Sequence, residues 1–526
     1  MIDDLDLLDT ASPLSADICI IGSGAAGVAL AREFIGSKQT VLVLEGGGGR
    51  HEPRTHELYR SHVVGLPHTG IHEGRARTLG GTTTLWAGQA LPLCPIDFEA
   101  RSWVPRSGWP LNFEDLQPFY RRAEAVMQLP TQTYDERAWP EGGTSPPDYD
   151  RSVMRPCFSQ FAREPNFAKM YAEELRAAPN VRVILHANAI ALNTDPMGQT
   201  VTGVSVRSLS GKSATVTARV YLVCCGGIET ARLLLASPGA DGRGVGNQHD
   251  LVGRYFQDHI HVIAAPIQTT NRKRLAKLYA PFKRDGIKFL PRFVASEELQ
   301  RREHILNASG DVTYPPEGDS PVEAAKDLLR AIRQPELRSR AGRAFGAIAR
   351  RPDKLAVAAF RHYVSRQSAA DTSGTPYLGI AIEQEPNPES RVYLGEETDE
   401  LGMRRTVLDW RLTARDRRTV EVFARAAAKE LERLGLGCVD LADFALPEDL
   451  HELGKRIHDA YHHIGTARMS DDPNTGVVDK NLRVHGVDNL YVASSAVFPT
   501  GGFSNPTLTI LALCTRLSDH LKARVV

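Results

Sequence analysis

Gly22-Ser23-Gly24-Ala25-Ala26-Gly27 spells GxGxxG directly after the short apolar run Asp17–Ile21 and at the head of the Ala-rich segment Ala25–Phe34. A second apolar run, Thr40–Leu44, follows and leads into Glu45. Strand, glycine turn, helix, strand and acid in this register make a βαβ unit, and few folds are open to a chain that carries one. The first glycine permits the tight bend, the second lets backbone approach a pyrophosphate, and the third lets the helix pack closely on the strand. The helix N-terminus offers unpaired N–H groups and a positive dipole end to phosphates. Glu45, eighteen residues beyond Gly27, stands where a carboxylate accepts hydrogen bonds from a ribose. Gly22, Gly24, Ala25, Ala26, Gly27 and Glu45 are therefore expected to bind a dinucleotide. The motif alone does not separate FAD from NAD.

The remaining chain sets bounds on what surrounds this unit. At 526 residues it is too long for one compact core, and two to four domain-sized units are expected. Lys+Arg and Asp+Glu both number 63, which excludes a global nucleic-acid binder, since that needs a basic excess. The seven cysteines are odd in number, widely spaced and free of any CxxC pattern, so neither a disulfide framework nor structural zinc is indicated. Asp3, Asp4, Asp6 and Asp9 occupy the region where a signal peptide would be basic and then apolar. No run approaches the ~20 apolar residues of a membrane span. A reduced, cytoplasmic protein is expected.

Further strands are expected at Val181–Leu185, Val201–Val206 and Val220–Val223, with Gly65–Trp109 mostly loop. From about Asp258 to Val439 the pattern changes to alternating strands, as in Arg391–Leu394. The spacing of Val420, Phe423, Ala427, Leu431 and Leu434 before Gly435 predicts a helix over Arg418–Leu434 with one buried face. Pro321–Ala370 carries eleven Lys/Arg against four acids. It reads as a solvated, largely helical insertion, with a docking surface for an acidic partner or membrane headgroups as the alternative.

Five segments carry a resemblance to a known family. They are Gly80-Gly81-Thr82-Thr83-Thr84-Leu85-Trp86-Ala87-Gly88, Ser107-Gly108-Trp109-Pro110, Cys225–Leu235, His462-His463-Ile464-Gly465-Thr466-Ala467-Arg468-Met469 and Ser504-Asn505-Pro506-Thr507-Leu508-Thr509. In content and order they resemble the glucose–methanol–choline (GMC) oxidoreductases. The Asn-Pro-Thr-Leu-Thr ending and Glu385–Val392 resemble the sugar-oxidising branch, that of pyranose oxidases and fructose and glycoside dehydrogenases. The resemblance implies an α/β fold in which a Rossmann-like FAD-binding domain is interleaved with an α+β substrate domain built on an antiparallel sheet. On that pattern residues 14–90, 170–257 and 455–526 form the FAD domain. Residues 91–169 and 258–454 form the substrate domain, with the basic insertion at 321–370. It further implies FAD contacts at Gly80, Gly81, Thr82, Trp86, Ala87, Gly226, Pro506 and Thr507, and at Ala189 through a backbone that holds the adenine. Ser494 stands in place of a family aspartate at a flavin-bonding position. Pyranose oxidases attach FAD through a histidine just before this tryptophan; Leu85 is there instead, so non-covalent FAD is expected.

The same resemblance assigns the chemistry. Oxidising an alcohol with a flavin needs a group that takes the hydroxyl proton while hydride leaves for flavin N5, and a neutral imidazole suits the proton. By the HxxGT pattern the base is His462 rather than His463, and Asn505 bonds the substrate oxygen beside it. Taken alone, Asn505-Pro506 also reads as N-cap and first residue of a helix running to Leu521. Such a helix would aim its positive end at the flavin. Gln384 is expected to reach the substrate, and His259 to be structural. No metal is expected: His462 and His463 are adjacent and cannot both face one ion, and no HExxH accompanies them. The expected reaction is oxidation of a sugar or glycoside hydroxyl, a secondary one, to a carbonyl. Alternatives are an aminoglycoside, cyclitol or other alcohol, or a non-redox lyase or flavin scaffold. The electron acceptor is not legible, and a homo-oligomer stays open.

Overall fold

The computed structural model describes residues 1–9, 14–129, 133–139, 146–315, 372, 374–442, 444 and 446–524. The basic segment Pro321–Ala370 lies outside the described residues.

Leu14–Ile21 is the centre of an eight-stranded sheet. Val41–Leu44 lies parallel on one side of it and Ser213–Val223 parallel on the other. Beyond Val41–Leu44 come Val181–Leu185 and then Ile2–Asp4, both parallel. Beyond Ser213–Val223 come Leu490–Val492, parallel, and the antiparallel strands Val201–Arg207 and Asn188–Thr194. All four side chains of Val41–Leu44 are buried, as expected of a parallel strand covered on both faces. The helix Ala25–Glu33 packs against the closing helix Thr507–Arg524.

The acidic N-terminus is a strand, ahead of residue 14 where the nucleotide-binding part was expected to begin. Its charge is matched across the sheet edge, with Arg182 Nε donating to Asp3 at 2.6 Å and His186 Nδ1 2.8 Å from Asp4. Further along, the helix Phe113–Val126 packs on the closing helix, where Tyr120 and Thr509 share a hydroxyl hydrogen bond of 2.9 Å.

The second sheet has nine strands, antiparallel throughout, in the order Cys438–Val439, Ile260–Gln268, Tyr377–Ile382, Ala308–Thr313, Ile287–Ala295, Met154–Phe161 and Gln89–Ala90. Phe282–Arg284 and His458–Asp459 add to it at the side. The sheet packs on the long helix Ala414–Arg433, with the Phe293 ring stacked on Phe423 at 6.3 Å. Val420, Phe423, Ala427 and Leu431 are buried as the periodicity required, and Gly435 ends the helix at φ +63°. A third sheet of three short strands joins Arg391–Thr398, Arg404–Asp409 and His62–Val63. The expected fold class, a parallel Rossmann-like sheet combined with an antiparallel one, is the observed one. Among the described residues no helix is long and apolar enough to cross a membrane, and all seven cysteines are free thiols.

Candidate active site

A cavity of about 620 Å³ opens over the glycine turn and reaches the two histidines at 462 and 463. Gly22 holds φ +102°, and a Cβ there would lie 2.7 Å from the carbonyl oxygen of Cys224. The Cβ position of Gly24 meets open space, so backbone is exposed to whatever fills the cavity. A Cβ on Gly27 would lie 1.8 Å from the Gly22 carbonyl oxygen. The third glycine therefore closes helix on turn and does not itself line the cavity. Glu45 lines it, but its carboxylate also locks the turn: Ser23 donates to Oε2 through N–H (3.1 Å) and hydroxyl (2.5 Å), and the Gly47 N–H donates to Oε1 (2.9 Å). Burial pushes its carboxyl up against these hydrogen bonds.

Most of the other expected contacts converge here. Gly22, Gly24, Ala25, Ala26, Gly81, Thr82, Trp86, Ala87, Ala189, Gly226, Ser494, Asn505, Pro506 and Thr507 all line the cavity. Gly80 does not; at φ +86° it turns the loop so tightly that a Cβ would lie 2.8 Å from the Ala168 amide nitrogen. The motifs did not single out Arg75, Arg77, Tyr59 or the carboxylate of Glu229, which also line the cavity. Glu229 accepts from Arg75 at 2.9 Å and Arg77 at 2.8 Å. Burial pushes its carboxyl up, but Arg232, Arg77 and Arg75 outweigh that and hold it down to about 2. Two guanidiniums thus stand in the wall, sharing the Glu229 carboxylate, with Glu45 and Glu73 also lining the cavity. Arg77 Nε and His463 Nε2 are buried with no hydrogen-bond partner among the described residues. Exposed glycine backbone, two lining guanidiniums and two orphaned nitrogens fit a dinucleotide carrying a pyrophosphate and polar ring edges.

At the far end His462 and Asn505 meet, with Asn505 Nδ2 3.3 Å from His462 Nε2. Asn505 is not the helix cap that its position before proline suggested. The helix starts at Thr507 and the Pro506 carbonyl accepts its first bond, from Ile510 N–H at 2.9 Å, leaving the Asn505 amide to the histidine. On the other edge of the ring, His462 Nδ1 is 2.7 Å from His259 Nδ1. His259 Nε2 is 3.4 Å from the Gly501 carbonyl oxygen. Burial, then His259, His261, His463 and Arg292, push the His462 ring well below the usual imidazole value. It is neutral at neutral pH and can accept a proton.

Asp258 holds this corner. Its Oδ1 accepts from the N–H groups of His259 (2.7 Å), His462 (2.9 Å) and Ala460 (3.3 Å). Its Oδ2 is 3.0 Å from His68 Nε2, and the Ile71 N–H donates to His68 Nδ1 at 3.1 Å, which fixes the His68 proton on Nε2. His68, Asp258 and His463 thus bring three buried ligating atoms within 4.8 Å of one another. Adjacency of His462 and His463 gave no hint of this cluster. Two of its members already form a hydrogen-bonded pair.

Gln384, expected to reach the substrate, lies behind this corner. Its amide is absorbed inside the protein: Oε1 accepts from Asp258 N–H and Trp410 Nε1, both at 2.9 Å, and Nε2 donates to the Arg411 carbonyl at 2.9 Å. It does not line the cavity, and it supports Asp258 from behind. The polar groups of the nine-stranded sheet lie elsewhere. Gln89, which lines the cavity, donates to Ser159 at 2.7 Å. Arg292, 8% exposed, donates to Ser309 at 3.2 Å, and its Nε has no partner among the described residues. Asp311, two residues along from Ser309, lies over Gly379, where a Cβ would come 2.4 Å from its Oδ1. Burial pushes its carboxyl up, and Arg292 opposes this.

Comparison with known proteins agrees with this arrangement. A family profile described as FAD dependent oxidoreductase matches residues 17–334, and one described as GMC oxidoreductase matches residues 386–514. The chain is 24% identical to paromamine 6'-oxidase of Streptomyces fradiae, the match covering 97% of this chain and 92% of that protein. It is 24% identical to the fructose dehydrogenase large subunit of Gluconobacter japonicus, with 97% and 98% covered. Its fold superposes on the crystal structure of pyridoxine 4-oxidase from Mesorbium loti with a TM-score of 0.55 at 18% identity, covering 97% of this chain and 99% of that one.

Proposed function

The chain belongs to the FAD-dependent GMC oxidoreductases, which act on CH–OH donors, and from that premise we propose that it oxidises a sugar or glycoside hydroxyl, a secondary one, to a carbonyl. The observation that carries this reading is the meeting of His462 Nε2 and the Asn505 amide at 3.3 Å, at the end of a cavity that begins over the dinucleotide turn. Gly22, Gly24, the amides at the start of helix Ala25–Glu33 and the Arg77 side chain would hold the FAD phosphates, with Glu45 on the ribose. Bound FAD supplies the acceptor for the hydride that leaves the substrate carbon. His462 Nε2 takes the hydroxyl proton, and Asn505 Nδ2 donates to the same oxygen and orients it. Its depressed pKa keeps the ring ready to accept. FAD is held without a covalent bond, Leu85 standing where a linking histidine would be.

Gln89, a polar side chain of the antiparallel sheet that lines the cavity, suits a substrate rich in hydroxyls. An aminoglycoside is the second reading, favoured by the likeness to paromamine 6'-oxidase. Arg292, whose charge bears on His462 and which has no carboxylate at ion-pair distance among the described residues, weighs against a polycation. The test is anaerobic bleaching of the FAD-loaded protein with a panel of sugars, glycosides, aminoglycosides and simple alcohols. Neutral sugars or glycosides are expected to bleach fastest. Fastest bleaching by an aminoglycoside would transfer the proposal to that class, and none by any alcohol would end it. The His462→Ala variant should retain FAD and bleach at least ~10²-fold more slowly, the low end for a positioned base.

A further inference from the structure

His462 and His259 face each other through their Nδ1 atoms, 2.7 Å apart. At that distance one nitrogen carries the hydrogen and the other the lone pair. The outer nitrogens decide which. His259 Nε2 stands 3.4 Å from the Gly501 carbonyl oxygen, which can only accept, so the His259 proton is on Nε2 and its Nδ1 is the acceptor. His462 Nδ1 then donates, and His462 Nε2 is left with a lone pair, met by the N–H of Asn505 at 3.3 Å. The opposite direction would set a lone pair against the Gly501 oxygen and an N–H against the Asn505 N–H, two unsatisfied contacts in a buried site.

From this chain of three hydrogen bonds we infer that His259 is a positioning residue that fixes the His462 proton on Nδ1 and keeps Nε2 open toward the cavity. The inference rests on the reading of His462 as base. His259 is placed for this role and no other in the reaction. It is 1% exposed and does not line the cavity, and its backbone is pinned by Asp258 Oδ1, the same oxygen that holds the His462 N–H. Burial lowers its pKa, so it orients the base as a neutral group. A carboxylate in its place would add a charge; a neutral imidazole sets only the tautomer. An unanchored neutral imidazole divides its proton between two nitrogens, and only the Nδ1–H form can take a proton at Nε2.

The test compares two substitutions in the FAD-loaded protein. His259→Asn keeps an acceptor oxygen near the Nδ1 position, whereas His259→Leu fills similar space without one. The leucine variant should lower the limiting rate of anaerobic bleaching roughly tenfold or more at unchanged half-saturating alcohol concentration, and the asparagine variant should stay within about threefold of wild type. Equal losses in both variants, or wild-type speed in the leucine variant, would overturn the inference. Bleaching by His462→Ala at wild-type speed would instead sink the reading of His462 as base, so the two failures are separable. Nitrogen-15 NMR of histidine-labelled protein gives a readout free of activity, with the His462 signals identified by their loss in His462→Gln. An unprotonated Nε2 in the wild type supports the assignment, and a protonated Nε2 in a neutral ring contradicts it, whether or not the leucine variant folds.

Discussion

An aspartate in place of Asn505 would set a carboxylate about 3 Å from His462 Nε2. That substitution tests the electrostatics of the proposed base directly. In the native site burial and neighbouring cationic or cation-forming groups hold the ring well below its ordinary value of 6.5. The neutral form is therefore complete at and above pH 6.5, and the limiting rate of bleaching should stay level as pH falls from 8 through 6.5, dropping only below it. A carboxylate favours the protonated ring and raises its pKa, so Asn505→Asp should move the acid limb upward by about one pH unit or more. A wild-type limb already at 6.5 or higher would contradict the depressed pKa. The meeting of His462 and Asn505 was legible because each sits in a contiguous motif. The hydrogen bonds of Gln384 were not legible, for a physical reason. Strand alternation tells which side an amide leaves the chain, whereas its partners, Trp410 and Asp258, come from 26 and 126 residues away. His68 was invisible for the same cause, its partner Asp258 lying 190 residues on.

At the scale of elements, the long helix shows where periodicity stops being informative. The apolar spacing predicted Arg418–Leu434, but the helix is Ala414–Arg433. Its first turn is polar and has no apolar stripe to reveal it. The start is set by a capping box: Thr413 accepts from Arg415 and Asp416 N–H, while Asp416 reaches back to accept from Thr413 N–H at 2.7 Å. Loss of such a cap costs about 1 kcal/mol, equivalent to about fivefold in a local opening equilibrium. Thr413→Ala should therefore speed amide hydrogen exchange in the peptide covering 413–417 by about that factor, with Thr413→Ser close to wild type. Unchanged exchange would show that packing under Phe423 and Leu431, not the cap, holds the first turn. The glycine turn had no such ambiguity. Steric demands at Gly22 and Gly27 admit almost no other residue. The helix and second strand of the βαβ unit were legible to within a residue, the first strand starting three residues earlier, at Leu14.

Across the whole molecule, the cavity is lined by segments at 21–26, 44–46, 73–89, 187–189, 224–233, 460–463 and 494–510, together with Tyr59 and Met403. The site is thus assembled from chain segments that unfolding scatters, and binding energy for FAD becomes energy that holds those segments together. This also distinguishes the two modes of attachment. A reversibly bound ligand that has no site in the unfolded chain stabilises by RT ln(1 + [L]/Kd), about 2.7 kcal/mol at a hundredfold excess over Kd. A covalently linked flavin gives no dependence on free FAD. With non-covalent FAD, protein stripped of flavin should melt at a lower temperature than loaded protein. Its melting temperature should then climb with each addition of free FAD past saturation, and denaturation in acid should release all the yellow colour into the supernatant. Colour that stays with the precipitated chain, together with a melting temperature indifferent to added FAD, would refute the non-covalent reading. It would leave the proposal for His462 and Asn505 untouched, because neither their contact nor the proton transfer proposed for His462 depends on how the flavin is tethered.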